Sequence, residues 1–153
     1  MKLAEALIER KAIKTKMEEI KRRIYATSKI QEGDEFTESP ATLLQELDAE
    51  VTKLEQLVIR INKTNNVTVL ENGMNMMEAL TKRDMLRYKH YICTNLVDKA
   101  TPTPDQYRFS QREIKILPNI NIVEIRQLSD TIARDSRLLD MKIQEANWMT
   151  ELL

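Results

Sequence analysis

The sequence predicts an all-α fold: four long helices in a bundle, opening with an antiparallel coiled-coil hairpin. Three observations carry this. The 153 residues include only two Gly and four Pro, too little turn punctuation for a sheet protein. Aromatic residues are 5% and charged residues 31%, a balance that suits solvated helix faces better than β-strands. Apolar residues also recur at helical three-and-four spacing over long uninterrupted stretches. The length suits a single domain over 1–153, organised as a helical hairpin (1–63) and two strand–turn–helix units (64–153).

Residues 2 to about 30 read as one helix, with Leu3, Leu7, Ile13, Met17, Ile20 and Ile24 on one stripe. At 1.5 Å per residue it would be about 42 Å long. An acidic loop containing Gly33 follows. Ser39-Pro40 is then a helix start, because Pro at the first helical position gives up an N–H that has no partner there. In the second helix Leu44, Leu47, Val51, Leu54, Val58 and Ile61 make a strict heptad seam, which predicts pairing with the first helix. That helix is expected to end at Asn62-Lys63-Thr64-Asn65-Asn66.

Val67–Leu70 looks strand-like, and Glu71-Asn72-Gly73 is a turn signal. Asn75 with Glu78 has capping-box spacing for a third helix from Met76 to about Lys99. Thr101-Pro102-Thr103-Pro104 opens a loop that runs through Tyr107 and Phe109, and Ile114–Leu117 is again strand-like. Asn121 with Glu124 repeats the cap, for a last helix from Ile122 to about Thr150. The segments around 69–78 and 116–124 resemble each other. This raises a small two-stranded β ribbon, from which the third and fourth helices would run roughly parallel.

Lys+Arg and Asp+Glu are both 24, a balance that argues against nucleic-acid binding, which draws its affinity from phosphate neutralisation. Locally the charges separate. Met1–Gln31 holds nine basic and four acidic residues, and Glu32–Ile59 one basic and eight acidic. Lying antiparallel, these stretches neutralise each other across the hairpin. A single cysteine, Cys93, forbids an internal disulfide and points to a reducing compartment. The N-terminus does not read as a signal peptide, and no apolar run approaches the roughly 18 residues of a membrane span. The expected location is the cytoplasm, with no stable membrane insertion.

With two glycines the chain cannot build phosphate-cradling loops or a nucleophile elbow. One histidine and one cysteine exclude a His-rich or thiolate metal site, and no cofactor is expected. His90 and Cys93, three apart, have the spacing of a base and a nucleophile. Leu86, His90, Cys93 and Val97 nevertheless form an apolar stripe beside Met85, Tyr88, Ile92 and Leu96, so a helix buried on two sides is the preferred reading. His90, Cys93 and the sole tryptophan, Trp148, are candidate interface residues. Asp84 and Asp135 fall where seam residues are expected, and a buried carboxylate must be paired. With Arg60, Arg83, Arg87 and Arg137 as partners they form a polar network that fixes helix register or, alternatively, a small-ligand pocket.

The stretches Leu3-Ala4-Glu5-Ala6-Leu7-Ile8-Glu9-Arg10-Lys11, Arg60-Ile61-Asn62-Lys63-Thr64-Asn65, Arg83-Asp84-Met85-Leu86 and Ile143-Gln144-Glu145-Ala146-Asn147-Trp148 resemble a bacterial family of uncharacterised helical proteins sometimes labelled septicolysin. The resemblance spans nearly the whole chain. It implies an all-helical fold and a cytoplasmic bacterial origin, and carries no reaction with it. The expected function is therefore a non-enzymatic structural or interaction protein that self-associates into a homo-oligomer. A ligand-binding protein using the Asp/Arg cluster is the alternative. A membrane-active cytolysin, as the label suggests, ranks below both, because the polar helix faces mix both signs of charge.

Overall fold

The computed structural model describes residues 1–33, 38–101 and 117–153. The fold is all-α. Four helices stand among the described residues: α1 (Leu3–Ala26), α2 (Pro40–Val67), α3 (Met76–Ala100) and α4 (Ile122–Met149). They fall into two compact units, one of Met1–Val69 with Gln144–Leu153 and the other of Leu70–Ile143.

In the first unit α1 and α2 form the antiparallel hairpin that the heptads predict. Lys16 pairs with Glu50 at 2.8 Å, and Arg23, about two turns further along α1, pairs with Glu46 at 3.5 Å and with Glu38. The basic and acidic stretches therefore do face each other. In α1 the inward positions are Leu3, Ala6, Ile13, Met17, Ile20 and Ile24, a heptad set anchored by fully enclosed Leu3 and Ile20.

In α2 the seam lies one position away from the uniformly apolar one. The inward residues are Leu43, Leu47, Glu50, Leu54, Leu57, Ile61 and Thr64, whereas Leu44 and Val51 are 50% and 43% exposed. Leu47, Leu54 and Ile61 belong to both sets. α2 also runs to Val67, straight through the Asn62–Asn66 stretch expected to end it. Buried Thr64 explains the continuation. Its hydroxyl donates to the Arg60 carbonyl at 2.9 Å and accepts the Leu153 N–H at 3.0 Å, so this polar stretch is tied into the unit.

The two ends of the chain meet in the same unit. Leu3 N–H donates to the Thr150 carbonyl and Leu152 N–H to the Met1 carbonyl, both at 2.9 Å, which pairs Lys2 with Glu151 as an isolated antiparallel bridge. Glu151 also holds Lys2 Nζ at 2.7 Å and the Met1 ammonium at 3.3 Å.

The second unit opens with a tight turn instead of a strand. Leu70 N–H donates to the Met74 carbonyl at 2.8 Å and Gly73 N–H to the Leu70 carbonyl at 2.9 Å, with Gly73 in the left-handed region at φ 81°. Asn75 then caps α3. Its side chain accepts the Glu78 N–H at 2.8 Å, and Glu78 accepts the Asn75 N–H at 2.9 Å, the box read from the sequence. Asn121 likewise accepts from Val123 and Glu124 at the start of α4.

α3 and α4 run antiparallel, not parallel. Arg83 and Arg87 reach Asp140, while Thr94, further along α3, meets Ser129, earlier in α4. No two-stranded ribbon stands among the described residues; of the proposed strand Ile114–Leu117 all but Leu117 lies outside them, as do Tyr107 and Phe109.

Candidate functional site

The polar residues singled out in the sequence are divided between the two units. Arg60 is in the first unit, where its Nε donates to the Leu153 carbonyl at 2.7 Å. The others lie in the second unit. α3 turns Met76, Ala79, Arg83, Leu86, His90, Cys93 and Val97 inward, a heptad set in which Arg83, not Asp84, takes the seam position. Asp84 is therefore exposed and pairs sideways with Arg83 at 2.9 Å. The half-buried Arg83 guanidinium also reaches Asp140 at 3.4 Å, and Arg87 meets the same carboxylate at 3.3 Å. Asp140 thus anchors the cluster of Arg83 and Arg87 among the described residues. Its role leaves no periodic sign in the sequence, because it follows buried Leu139 without occupying a seam position itself.

α4 repeats the offset. Ser129, Ile132, Ser136, Leu139 and Ile143 are buried, while Leu128 and Asp135 lie to the outside. Arg137 is exposed and makes no ion pair among the described residues. The expectation of buried carboxylates at 84 and 135 is corrected. In each helix the neighbouring residue takes the inward position, so neither acid has to be desolvated.

Asp135 instead borders a shallow groove of about 230 Å³. Met74, Leu86, Leu138 and Leu139 supply its apolar lining, and Lys82, Asp135, Lys142 and Asn72 its polar groups. Such a groove can receive a small molecule with an apolar body and one charged group. Among the described residues, no group of three or more His, Cys, Asp or Glu side chains is placed to hold a metal ion.

His90 is half-buried and Cys93 buried, both on the inward face of α3, and no hydrogen bond joins them among the described residues. The second α3 stripe is not covered as expected. Met85 and Tyr88 are 59% and 61% exposed, and Met77, Ile92 and Leu96 are exposed with them. Trp148 is also exposed, and Asn147 takes the buried position beside it.

Among the described residues, the most enclosed charged group lies in the hairpin. Glu50 is only 4% exposed, and its Oε1 accepts from Lys16 Nζ at 2.8 Å and Lys53 Nζ at 2.9 Å. The hydrogen bond from Lys16, then that from Lys53, holds its carboxyl below the ordinary value of 4.5. Lys2 does the same for Glu151 and Arg23 for Glu38. A carboxylate whose folded-state pKa is depressed contributes stability above the unfolded-state value and loses it as pH falls through the folded one. The melting temperature should therefore decline below about pH 5, and Glu50→Gln should flatten that decline. Thermal melts followed by circular dichroism from about pH 3 to 7 provide the check.

With this geometry in view, comparison with known proteins locates the chain. The model of DUF6847, a family of unknown function, matches residues 10–152. The chain belongs to this family. A crystal structure of a functionally unknown conserved protein from Corynebacterium diphtheriae is similar to this DUF6847 member at 39% identity and a TM-score of 0.90. The match covers 100% of this chain and 99% of that one. No curated protein matches. An uncharacterised bacterial neighbour agrees with that part of the sequence resemblance, and neither description carries a cytolysin label. No helix among the described residues is long and apolar enough to cross a membrane.

Proposed function

We propose that this DUF6847 member is a non-enzymatic interaction protein that self-associates into a homo-oligomer through the outer face of α3. The observation that carries this reading is the exposed row of Met77, Met85, Tyr88, Ile92 and Leu96. These residues recur at helical spacing on a helix whose opposite face is already buried. An exposed apolar row on a helix of a small protein marks an interaction surface. Exposed Trp148 is a second anchor of the kind that interfaces favour. The sole cysteine, reduced and buried, supports a cytoplasmic setting.

Light scattering coupled to gel filtration tests the proposal. The wild type should elute as an oligomer at micromolar concentration, and Tyr88→Glu with Ile92→Glu should give a folded monomer. A wild-type monomer would reject it.

The groove beside Asp135 favours a second reading, a small-ligand-binding protein, since three charged groups border an apolar lining. A compound that raises the melting temperature of the wild type but not of Asp135→Ala would support it. A shift of equal size in both would count against it.

A further inference from the structure

α2 holds two overlapping heptad seams, and the structure uses the less apolar one. The buried seam includes Leu43, Glu50, Leu57 and Thr64. The other places Leu44, Val51 and Val58 at the equivalent positions, and Leu47, Leu54 and Ile61 serve both. A turn of α2 about its axis by roughly 50°, half the angle between successive residues, exchanges one seam for the other. The exchange would cover Leu44 and Val51, now 50% and 43% exposed, and return Glu50 to water, but it would uncover Leu43 and Leu57, now 2% and 6% exposed, so apolar burial leaves the two seams close to balance.

With the two seams so nearly matched, the charged groups around Glu50 decide between them. Its carboxylate meets one ammonium from each helix of the hairpin, Lys16 from α1 and Lys53 from α2, while Glu46 also lies 3.9 Å from Lys16. Both ammonium groups bond to the same oxygen, Glu50 Oε1, and no buried side-chain polar atom among the described residues lacks a partner. A single polar seam residue that fixes register at a cost in apolar burial is an established device of paired helices.

We propose that α2 is a two-register helix and that the Lys16–Glu50–Lys53 ion pairs select the register seen. Without them, residues 40–58 turn to the Leu44–Val51–Val58 seam. Beyond Ile61 the helix is held by the bonds from Leu153 N–H to Thr64 and from Arg60 to the Leu153 carbonyl, so the turn is absorbed just before them, as in a coiled-coil stutter.

Thiol reactivity reads the register directly. In a Cys93→Ser background, single Val51→Cys and Leu57→Cys chains report the outward and inward positions. With the ion pairs intact, the thiol at 51 reacts freely and that at 57 is protected. Adding Lys16→Gln and Lys53→Gln should reverse the pattern by about tenfold at each position with helicity retained. A further Glu50→Leu, which makes the observed seam apolar, should restore the original pattern. An unchanged pattern in the Lys16→Gln/Lys53→Gln chain overturns the proposal. So does protection at both positions, which would mean that another molecule covers the outward face. Loss of helicity with both thiols reactive overturns it as well, since the second seam would then have failed to replace the first.

Discussion

Ile61→Ala should lower the stability of the folded chain by about 2–5 kcal/mol. Ile61 is 1% exposed and serves both heptad sets of α2, so no rotation of the helix can relieve the cavity. It also stands beside Arg60 and one turn before Thr64, the two residues that hold the C-terminal segment. Urea denaturation should show a lower midpoint at an unchanged slope, the signature of lost packing without a change in the surface exposed on unfolding. Ile61→Val should cost about 0.5–1.5 kcal/mol. Equal losses in both variants would show that the cost comes from somewhere other than the cavity.

Met76→Ala should have a comparable effect in the second unit, about 2–5 kcal/mol. Met76 is fully enclosed and is the first residue of α3 after the Asn75 cap, with Ala79 buried one turn on. Its removal leaves the capped end of the helix without the contact that seats it. Met76→Leu, which conserves volume, should cost less than about 1.5 kcal/mol. Melting temperature and the urea midpoint would separate the two variants. Similar destabilisation by leucine and alanine would show that the thioether's shape, and not its bulk, is what the site requires.

The fold class was legible in the sequence because helix periodicity survives small errors of phase. Pro40, Asn75 with Glu78, and Asn121 with Glu124 mark three helix starts by local chemistry, and each helix begins there. The orientation of each helix about its axis was less legible. In α2 the more apolar of two adjacent heptads was the natural choice, yet Glu50 and Thr64 face inward because partners distant in sequence satisfy them: Lys16 and Leu153. In α4, small Ser129 and Ser136 take inward positions that hydropathy would give to Leu128. Small polar residues carry no periodic signal, although they allow close approach and can bond to the opposite helix, as Ser129 does to Thr94 at 3.3 Å.

The candidate site suffered from the same one-residue error of phase. Hydropathy points Asp84 inward whereas Arg83 holds that position, and Asp140, which binds both Arg83 and Arg87, gives no local sign of its role. The pairing of Lys2 with Glu151 joins residues at opposite ends of the sequence, and no spacing rule connects them. The groove depends on a turn residue, Asn72, lying near Lys142, a relation visible only in three dimensions.

The first unit is discontinuous in sequence: residues 1–69 are completed by 144–153, with 70–143 between them. Its hairpin is local and can form as soon as α1 and α2 exist, whereas the Leu3–Thr150 and Thr64–Leu153 bonds wait for the far end of the chain. Joining segments so far apart costs closure entropy that only late contacts repay, and such topologies fold slowly. During synthesis the hairpin therefore emerges from the ribosome without the strip that seals it, and a compact neighbouring unit is made before the seal arrives. The chain order itself writes a delay into the birth of the protein.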